Sequence, residues 1–188
     1  MMKELILYVN SISPVSQEAA YELEKNFQSK TYKKNEFVLS SDKVCNHLYF
    51  MEAGLVKSFF FNNDKEFILG LYDENMMFTE LSSYLSQLPS KYMLFALEQT
   101  NILRIHRQAL EMLCRKHHSI ETFVRKLYAM TSECFILRIS EMLEENAKQR
   151  YHKFITNHPG LINRISLGDL SNYIGINQAS LSRIRASR

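Results

Sequence analysis

The alternation of hydrophobic and polar residues divides the chain into a strand-like first part and a helical second part. From Thr31 to His106, aromatic and β-branched residues form short runs such as "EFVL", "HLYFM" and "LVKSFFF", with polar breaks such as "SSDK" and "NND" between them. Gly54 and the Asn-Asn-Asp segment at 62–64 suit hairpin turns, because these residue types tolerate positive φ. No helix long enough for a βαβ crossover separates the runs, so the pattern predicts a compact all-β sandwich or barrel.

Short helices flank this β region. The segment from Ser13 to Phe27 predicts a helix that Ser13 caps, with Pro14 at its first position, where the missing N–H leaves no bond unmade. After the strands, "RQALEMLCRKH" predicts a second short helix. Further on, "KQRYHKFITNHPGLINRI" predicts another helix that stops at Pro159-Gly160.

A long helix is predicted from Ile120 to about Ala147, because this stretch has neither glycine nor proline. About 28 residues in a helix span roughly 42 Å. Apolar residues recur there at alternating steps of three and four, which is the heptad pattern of a helix seam. The seam consists of Ile120, Phe123, Leu127, Met130, Cys134 and Leu137. We interpret it as a two-fold dimer interface, since cyclic dimers are the commonest assembly. The alternative is that the seam packs only on the β domain of its own chain.

Two short capped helices are predicted in "SLGDLSNYIGINQASLSRIR", residues 166–185. Ser166 can cap the first helix with Asp169 at the third position, and Asn177 can cap the second. Gly175 supplies the left-handed residue between them. Two capped helices separated by a three-residue turn with glycine predict a helix-turn-helix. Its small core is expected to contain Leu167, Leu170, Ile174, Ile176, Leu181 and Ile184.

The second of these helices carries the predicted DNA contacts. Its first turn, Gln178 to Ser180, is able to enter a major groove, and Arg183 lies within reach of a guanine edge. Hydroxyl and basic side chains nearby suit phosphate oxygens. The predicted DNA-binding residues are Gln178, Ala179, Ser180, Ser182, Arg183, Arg185 and Arg188.

The charge distribution agrees with a polyanion partner at this end. The chain carries a net charge of +3. Seven basic residues and one acidic residue, Asp169, follow position 147, so this segment is +6 and residues 1–147 are −3. A basic segment on an acidic body is typical of nucleic-acid binding, with a solvated tail as the alternative.

Composition and cysteine usage exclude several classes of protein. The hydrophobic content of 46% is that of an ordinary globular protein. The sequence shows neither a signal peptide nor a run of about 20 apolar residues, so we expect a cytoplasmic protein with no membrane span. Its three widely spaced cysteines are read as reduced thiols, and no metal site is expected. Nucleophile-elbow, Walker and HExxH motifs are lacking, so we expect no enzyme activity.

Over its whole length the chain resembles the Crp/Fnr transcription regulators. The most specific segments are "MEAGLVKSFF", "FTELSSYLSQLPSKYMLFALEQTNILRI" and "YIGINQASLSRIR", and the last resembles a branch of short members from Bacteroidetes. The resemblance implies an α+β fold: a double-stranded β-helix or jelly roll of the cyclic-nucleotide-binding type (1–117), a dimerisation helix (118–147) and an all-α helix-turn-helix domain (148–188). It also implies double-stranded DNA, a second copy of the chain and RNA polymerase as partners.

The family's base-reading positions correspond to Gln178, Ala179 and Arg183. Arg183 matches the family pattern, whereas Gln178 and Ala179 replace the commoner Arg-Glu pair. We therefore expect a different target sequence.

The ligand cassette departs further from the family. Members that bind cyclic nucleotides carry a glutamate that holds the ribose hydroxyl and an arginine that neutralises the phosphate. Here "FTEL" keeps Glu80 but replaces the preceding glycine by Thr79, and "PSKYM" places Ser90 at the arginine position with Lys91 beside it. Neither residue reproduces the guanidinium fork that suits phosphate. The corresponding pocket would be lined by Phe78, Thr79, Glu80, Leu81, Ser82, Ser90 and Lys91. We therefore expect neither cyclic AMP nor cyclic GMP as the effector, and no cofactor.

Two functions remain open from the sequence. The first is a dimeric, sequence-specific DNA-binding transcriptional regulator with a sensor β-roll. The second is a sensor or interaction module of the cyclic-nucleotide-binding type whose basic C-terminus docks on a protein or on RNA.

Overall fold

A computed structural model describes residues 2–186 as an α+β fold. The helices are α1 (Met2–Ile12), α2 (Gln17–Asn26), α3 (Leu81–Ser86), α4 (Arg107–Lys116), α5 (His118–Glu144), α6 (Ala147–Asn157), α7 (Leu167–Ile174) and α8 (Gln178–Ala186). The strands are β1 (Gln28–Tyr32), β2 (Phe37–Leu39), β3 (His47–Ala53), β4 (Val56–Asn62), β5 (Lys65–Tyr72), β6 (Met77–Phe78), β7 (Met93–Ala96) and β8 (Thr100–His106).

The strands form two four-stranded sheets, in the orders β1-β8-β3-β6 and β2-β7-β4-β5. In the first sheet β8 pairs antiparallel with both β1 and β3, with His47 opposite His106 and Tyr49 opposite Arg104. β6 pairs antiparallel with β3, and β2 pairs antiparallel with β7. The prediction of an all-β roll between Thr31 and His106 is therefore confirmed, apart from the short helix α3, which the sequence analysis missed.

The turns lie where glycine and asparagine indicated them. Gly54 has a φ of +109°, and a Cβ added there would lie 2.5 Å from Thr100 Oγ1 and 2.7 Å from Thr100 Cα. Only glycine fits this close approach of two backbones. Asn63 and Asp64 both have positive φ and close the hairpin between β4 and β5.

The N-terminal helices differ from the prediction. The chain forms α1 before Ser13, and the next helix begins at Gln17, where Ser16 Oγ accepts a hydrogen bond from the Ala19 N–H at 3.2 Å. Ser13 is not the cap, because its own N–H donates to Val9 O at 2.9 Å and its side chain is buried at the end of α1. Pro14 accordingly lies in the connection and not in a helix.

α5 ends three residues earlier than predicted because a second helix begins beside its C-terminus. Asn146 Oδ1 accepts hydrogen bonds from the N–H groups of Lys148 and Gln149, and Gln149 Oε1 accepts one from the Asn146 N–H. This capping box starts α6 and prevents α5 from continuing. α6 ends at Asn157, before Pro159, as predicted.

The described residues divide into two compact units. The first contains residues 2–58 and 71–131, and the second contains residues 59–70 and 132–186. α5 contributes to both units, and most of the β4–β5 hairpin groups with the C-terminal helices. Within the second unit, Asn172 Nδ2 of α7 donates to Glu66 Oε1 of the hairpin at 3.2 Å.

The first half of α5 belongs to the hydrophobic core of the first unit. Ile120, Phe123 and Leu127 are buried together with residues of α1, α2, α4 and the strands. They pack on their own chain, which corrects the prediction that they face a second subunit. The other three seam residues, Met130, Cys134 and Leu137, are exposed. Among residues 2–186, no helix is both long enough and apolar enough to span a membrane.

Replacing Phe123 by alanine tests the intramolecular packing of α5. Phe123 is 1% exposed, so the truncation should lower the free energy of unfolding by about 3–5 kcal/mol. Denaturant unfolding should give the same loss at every protein concentration. Phe135→Ala removes the same ring from an exposed position of this helix and should cost less than half as much. A loss for Phe123→Ala that disappears on dilution would instead place this residue at a subunit interface.

Candidate functional site

The start of α7 forms as the sequence predicts. Ser166 Oγ accepts a hydrogen bond from the Asp169 N–H at 2.9 Å and donates one to the Asp169 carboxylate at 2.6 Å. The serine therefore satisfies one of the unpaired amides of the first turn, and the acidic residue lies at the positive end of the helix dipole.

The turn between α7 and α8 is also confirmed. Gly175 has a φ of +73°, and its N–H and that of Ile176 both donate to Ser171 O. Asn177 Oδ1 then accepts a hydrogen bond from the Ser180 N–H at 2.8 Å and caps α8. Both helix ends at this turn are therefore fixed by local sequence.

α7 and α8 share a small apolar core. Leu170, Ile174 and Leu181 are buried, and Ser171 is buried with them. Leu167 was expected in this core but is 43% exposed, because it occupies the outer side of the first turn of α7.

Most of the predicted DNA-contacting side chains lie on the exposed surface of α8. Gln178, Ala179, Ser182, Arg183 and Arg185 are exposed, whereas Ser180 is half-buried. Arg188 lies outside the described residues.

Among residues 2–186, the hydrogen bonds of the Arg183 side chain are made to its own helix. Its guanidinium donates to Ala179 O at 3.5 Å and to Ser180 Oγ at 3.4 Å, both of which are long for hydrogen bonds. The side chain is exposed, so it can turn toward a ligand at small cost.

Two of the basic residues counted in the positive segment, Arg150 and Lys153, bond to other groups of the same chain. Arg150 Nε donates to Ile174 O at 2.8 Å, and Lys153 Nζ lies 2.8 Å from Glu141 and 3.0 Å from Glu145. Burial raises the pKa of Glu141, but Lys153 and Arg138 outweigh it and hold this pKa below its usual value. Hydrogen bonds to the two glutamates raise the pKa of Lys153.

Glu80, the glutamate of the ligand cassette, caps a helix. Its two carboxylate oxygens accept hydrogen bonds from the N–H groups of Ser82 (3.1 Å) and Ser83 (2.8 Å) at the start of α3. The side chain is buried, and this contact engages both oxygens of the carboxylate that the family resemblance assigns to a ribose hydroxyl. Leu81 is half-buried beside it, and Ser82 is exposed.

Thr79 and Ser90 also bond inside the chain. Thr79 Oγ1 donates to His47 O at 2.8 Å and lies 3.3 Å from Cys45 Sγ. Ser90 Oγ donates to Tyr92 O at 2.9 Å and accepts from the Tyr92 N–H at 3.0 Å. Ser90 is buried, and its hydroxyl serves a local turn.

The remaining cassette residues contact aromatic rings. Phe78 stacks between Tyr49 and Tyr72, with ring centroids 5.3 and 4.6 Å apart. Burial raises the pKa of Tyr49 far above its usual value, so this phenol stays neutral. Lys91 is exposed, and its ammonium lies 5.0 Å from the centre of the Tyr92 ring.

One group of residues has the composition of a metal site. Glu18, Glu22 and His117 bring three ligand atoms within 4.8 Å of one another. The Glu22 carboxylate already pairs with Lys116 and with His117 Nε2, and these hydrogen bonds lower its pKa. An ammonium group in this position makes the arrangement an ion-pair cluster.

Sequence reasoning missed two contributors to these sites. Ser83 Oγ accepts from the Cys45 N–H at 2.9 Å and donates to Leu88 O at 2.5 Å, which fixes the loop after α3. Arg138 of α5 lies with its guanidinium 4.1 Å from the centre of the Tyr173 ring of α7. Heptad spacing marks Leu137 but gives no signal for Arg138.

The fold of the β region agrees with the protein family that its sequence matches. Residues 29–117 match the cyclic nucleotide-binding domain family. The matched domain runs from β1 to the end of α4 and covers just under half of the chain. No curated protein sequence matches this chain.

Several solved structures share this architecture beyond the matched domain. FixK2 from Bradyrhizobium japonicum has a TM-score of 0.72 at 20% identity, covering 86% of this chain and 83% of that one. CLP from Xanthomonas campestris, a c-di-GMP responsive global regulator, has a TM-score of 0.69 at 14% identity, with coverages of 92% and 91%. A Eubacterium rectale protein described as a transcriptional regulator of the Crp/Fnr family has a TM-score of 0.71 at 13% identity, with coverages of 90% and 82%. At these identities the similarity establishes the fold.

Proposed function

We propose that this protein is a dimeric, sequence-specific DNA-binding transcriptional regulator of the Crp/Fnr type. The observation that carries the proposal is α8, a capped helix that follows a glycine turn and exposes a polar and basic surface. A regulator of this kind acts in the cytoplasm, and its partners are double-stranded DNA, a second copy of the chain and RNA polymerase.

The exposed surface of α8 supports a role as the recognition helix of a helix-turn-helix. Gln178 and Ala179 are exposed in its first turn, and Arg183 follows five residues later, about 7.5 Å along the axis. Side chains at this separation reach different base pairs while the helix lies in one major groove. Ser180, Ser182 and Arg185 are placed beside them, where contacts to phosphate oxygens would fix the register.

The distal half of α5 supports dimerisation through a surface different from the one predicted from the heptad. Ile136, Ile139 and Leu143 are 64%, 59% and 81% exposed. With Ala129 and Ser132, also exposed, they recur at steps of three and four along one side of the helix. An exposed apolar stripe of this length on a helix is typical of a partner interface. We therefore assign the dimer contact to Ala129, Ser132, Ile136, Ile139 and Leu143.

The internal bonds of the cassette support an effector other than cyclic AMP or cyclic GMP. Glu80, Thr79 and Ser90 direct their oxygens to groups of their own chain. A ligand phosphate would have to displace these bonds without gaining an arginine in return. CLP, which has a similar fold, responds to c-di-GMP, so the fold itself does not specify one nucleotide.

Arg183→Ala tests the DNA-binding role. On a duplex selected by the unmodified protein, the variant should lose about 1–3 kcal/mol of binding free energy and relax its preference at one base pair per half-site. Arg115→Ala is the matched control, because it removes the same exposed charge from α4 and should leave affinity unchanged.

Two results would contradict this assignment. A lower melting temperature with an unchanged base preference would make Arg183 a structural residue. Equal binding to duplex DNA, RNA and an unrelated polyanion would instead favour the interaction module that docks on RNA or protein.

Two neighbouring substitutions separate the two dimer surfaces. Ile136→Glu should give a monomer in sedimentation experiments at micromolar concentration, because two carboxylates would face each other in an apolar contact. Leu137→Glu introduces the same charge one position away and should remain a dimer. The reverse result would restore the heptad surface at Met130, Cys134 and Leu137, and a monomeric unmodified protein would remove dimerisation from the proposal.

Cyclic AMP should not bind to the roll with micromolar affinity. Ser90 lacks the guanidinium that neutralises a cyclic phosphate, and its hydroxyl is already bonded to Tyr92. Isothermal titration calorimetry with cyclic AMP and with cyclic GMP checks this expectation. Saturable micromolar binding of either nucleotide would refute it and restore a conventional nucleotide switch.

A further inference from the structure

We infer that Arg138 and Arg150 are positioning residues that hold the C-terminal end of α7 and thereby set the direction of α8. This inference rests on the proposed DNA-binding function, because the direction of α8 matters only where α8 reads a ligand. Neither arginine lies on α8 itself.

The two arginines bond to the last two carbonyl groups of α7. Arg138 Nη2 donates to Tyr173 O, and Arg150 Nε donates to Ile174 O at 2.8 Å. Carbonyls at the end of a helix have no partner within the helix, and positive charge is favoured there by the helix dipole. Each arginine therefore donates a hydrogen bond to a carbonyl oxygen that has no partner within α7 or the turn at Gly175.

Arg138 reaches α7 from the distal half of α5. Its guanidinium stacks on the Tyr173 ring and also lies 3.4 Å from the Glu141 carboxylate. Glu141 in turn pairs with Lys153 of α6, so the orientation of Arg138 is fixed from a third helix. A planar guanidinium can stack, donate and pair at once, which the compact ammonium of a lysine does not reproduce.

Arg150 reaches α7 from α6. In addition to Ile174 O, it donates through Nη1 to Glu145 O in the connection between α5 and α6. One side chain thus joins the end of α5 to the end of α7. Because Ile174 directly precedes the turn into α8, movement at this bond would tilt the whole recognition helix.

The experiment compares Arg150→Lys and Arg138→Met with Lys148→Met in the full-length protein. Arg150→Lys keeps the charge but loses the two-carbonyl contact. Lys148 is an exposed neighbour on α6, so Lys148→Met removes a charge without touching α7. Hydrogen–deuterium exchange on residues 175–186 without DNA, and affinity for the selected and for a random duplex, are measured for each variant.

Arg150→Lys and Arg138→Met should speed exchange in 175–186 while exchange in β3 and β8 stays unchanged. Affinity for the selected duplex should fall at least about tenfold with Arg150→Lys, the scale of a lost charge-assisted hydrogen bond, and affinity for random duplex should stay the same. Lys148→Met should weaken binding to both duplexes equally and leave exchange unchanged.

Unchanged exchange in 175–186 for both arginine variants would overturn the inference. So would faster exchange with an unchanged ratio of selected to random affinity. If the unmodified protein binds no DNA, the proposed function fails, whereas the exchange measurement still decides whether the two arginines hold α8.

Discussion

The continuity of α5 is the constraint on which the rest of the structure depends. One uninterrupted helix must serve two environments. Ile120, Phe123 and Leu127 in its first half are buried in the core of the first unit, whereas Arg138 and Glu141 in its second half make polar contacts with α6 and α7. A heptad written along the whole helix therefore describes two different surfaces: Ile120, Phe123 and Leu127 pack on their own chain, whereas Met130, Cys134 and Leu137 are exposed. On another side of the second half, Ile136, Ile139 and Leu143 are exposed.

The C-terminal helices show how positive charge is divided between structure and function. Arg150 and Lys153 bond within the chain, whereas Arg183 and Arg185 are exposed on α8. Sequence composition counts all four equally. Arg150 bonds to the end of α7 and Lys153 pairs with two glutamates, so of these four residues Arg183 and Arg185 are the ones without an acidic partner or a bond to another helix among the described residues. The electrostatic footprint of the proposed interface is therefore smaller and more localised than the net charge of the segment suggests.

Sequence reasoning succeeded where the deciding contacts are local. The Asn63-Asp64 turn, the Ser166 cap and the Gly175 turn each depend on residues only a few positions apart, so their chemistry is visible in a short window. It failed at the start of α2, because Ser13 and Ser16 offer the same capping hydroxyl and only the burial of Ser13 behind α1 decides between them. α3 was missed because its cap is a glutamate that the family resemblance had assigned to a ligand.

The contacts that position the candidate site were invisible for a different reason. Arg138 lies 35 residues from Tyr173, and Asn172 lies 106 residues from Glu66. No periodicity connects such positions. The distal half of α5 carries exposed apolar residues on several sides, so the spacing of hydrophobic residues does not decide which side would meet a partner.

The capping role of Glu80 affects how this sequence pattern can be used to identify nucleotide binders. A glutamate that caps a helix contributes to folding whether or not a nucleotide is bound. A glutamate at this position is therefore compatible with a roll that binds no nucleotide. The side chain of Ser90 bonds within a local turn and has no charge with which to neutralise a phosphate. Of the two positions, the second is the more informative marker for sorting related sequences by ligand.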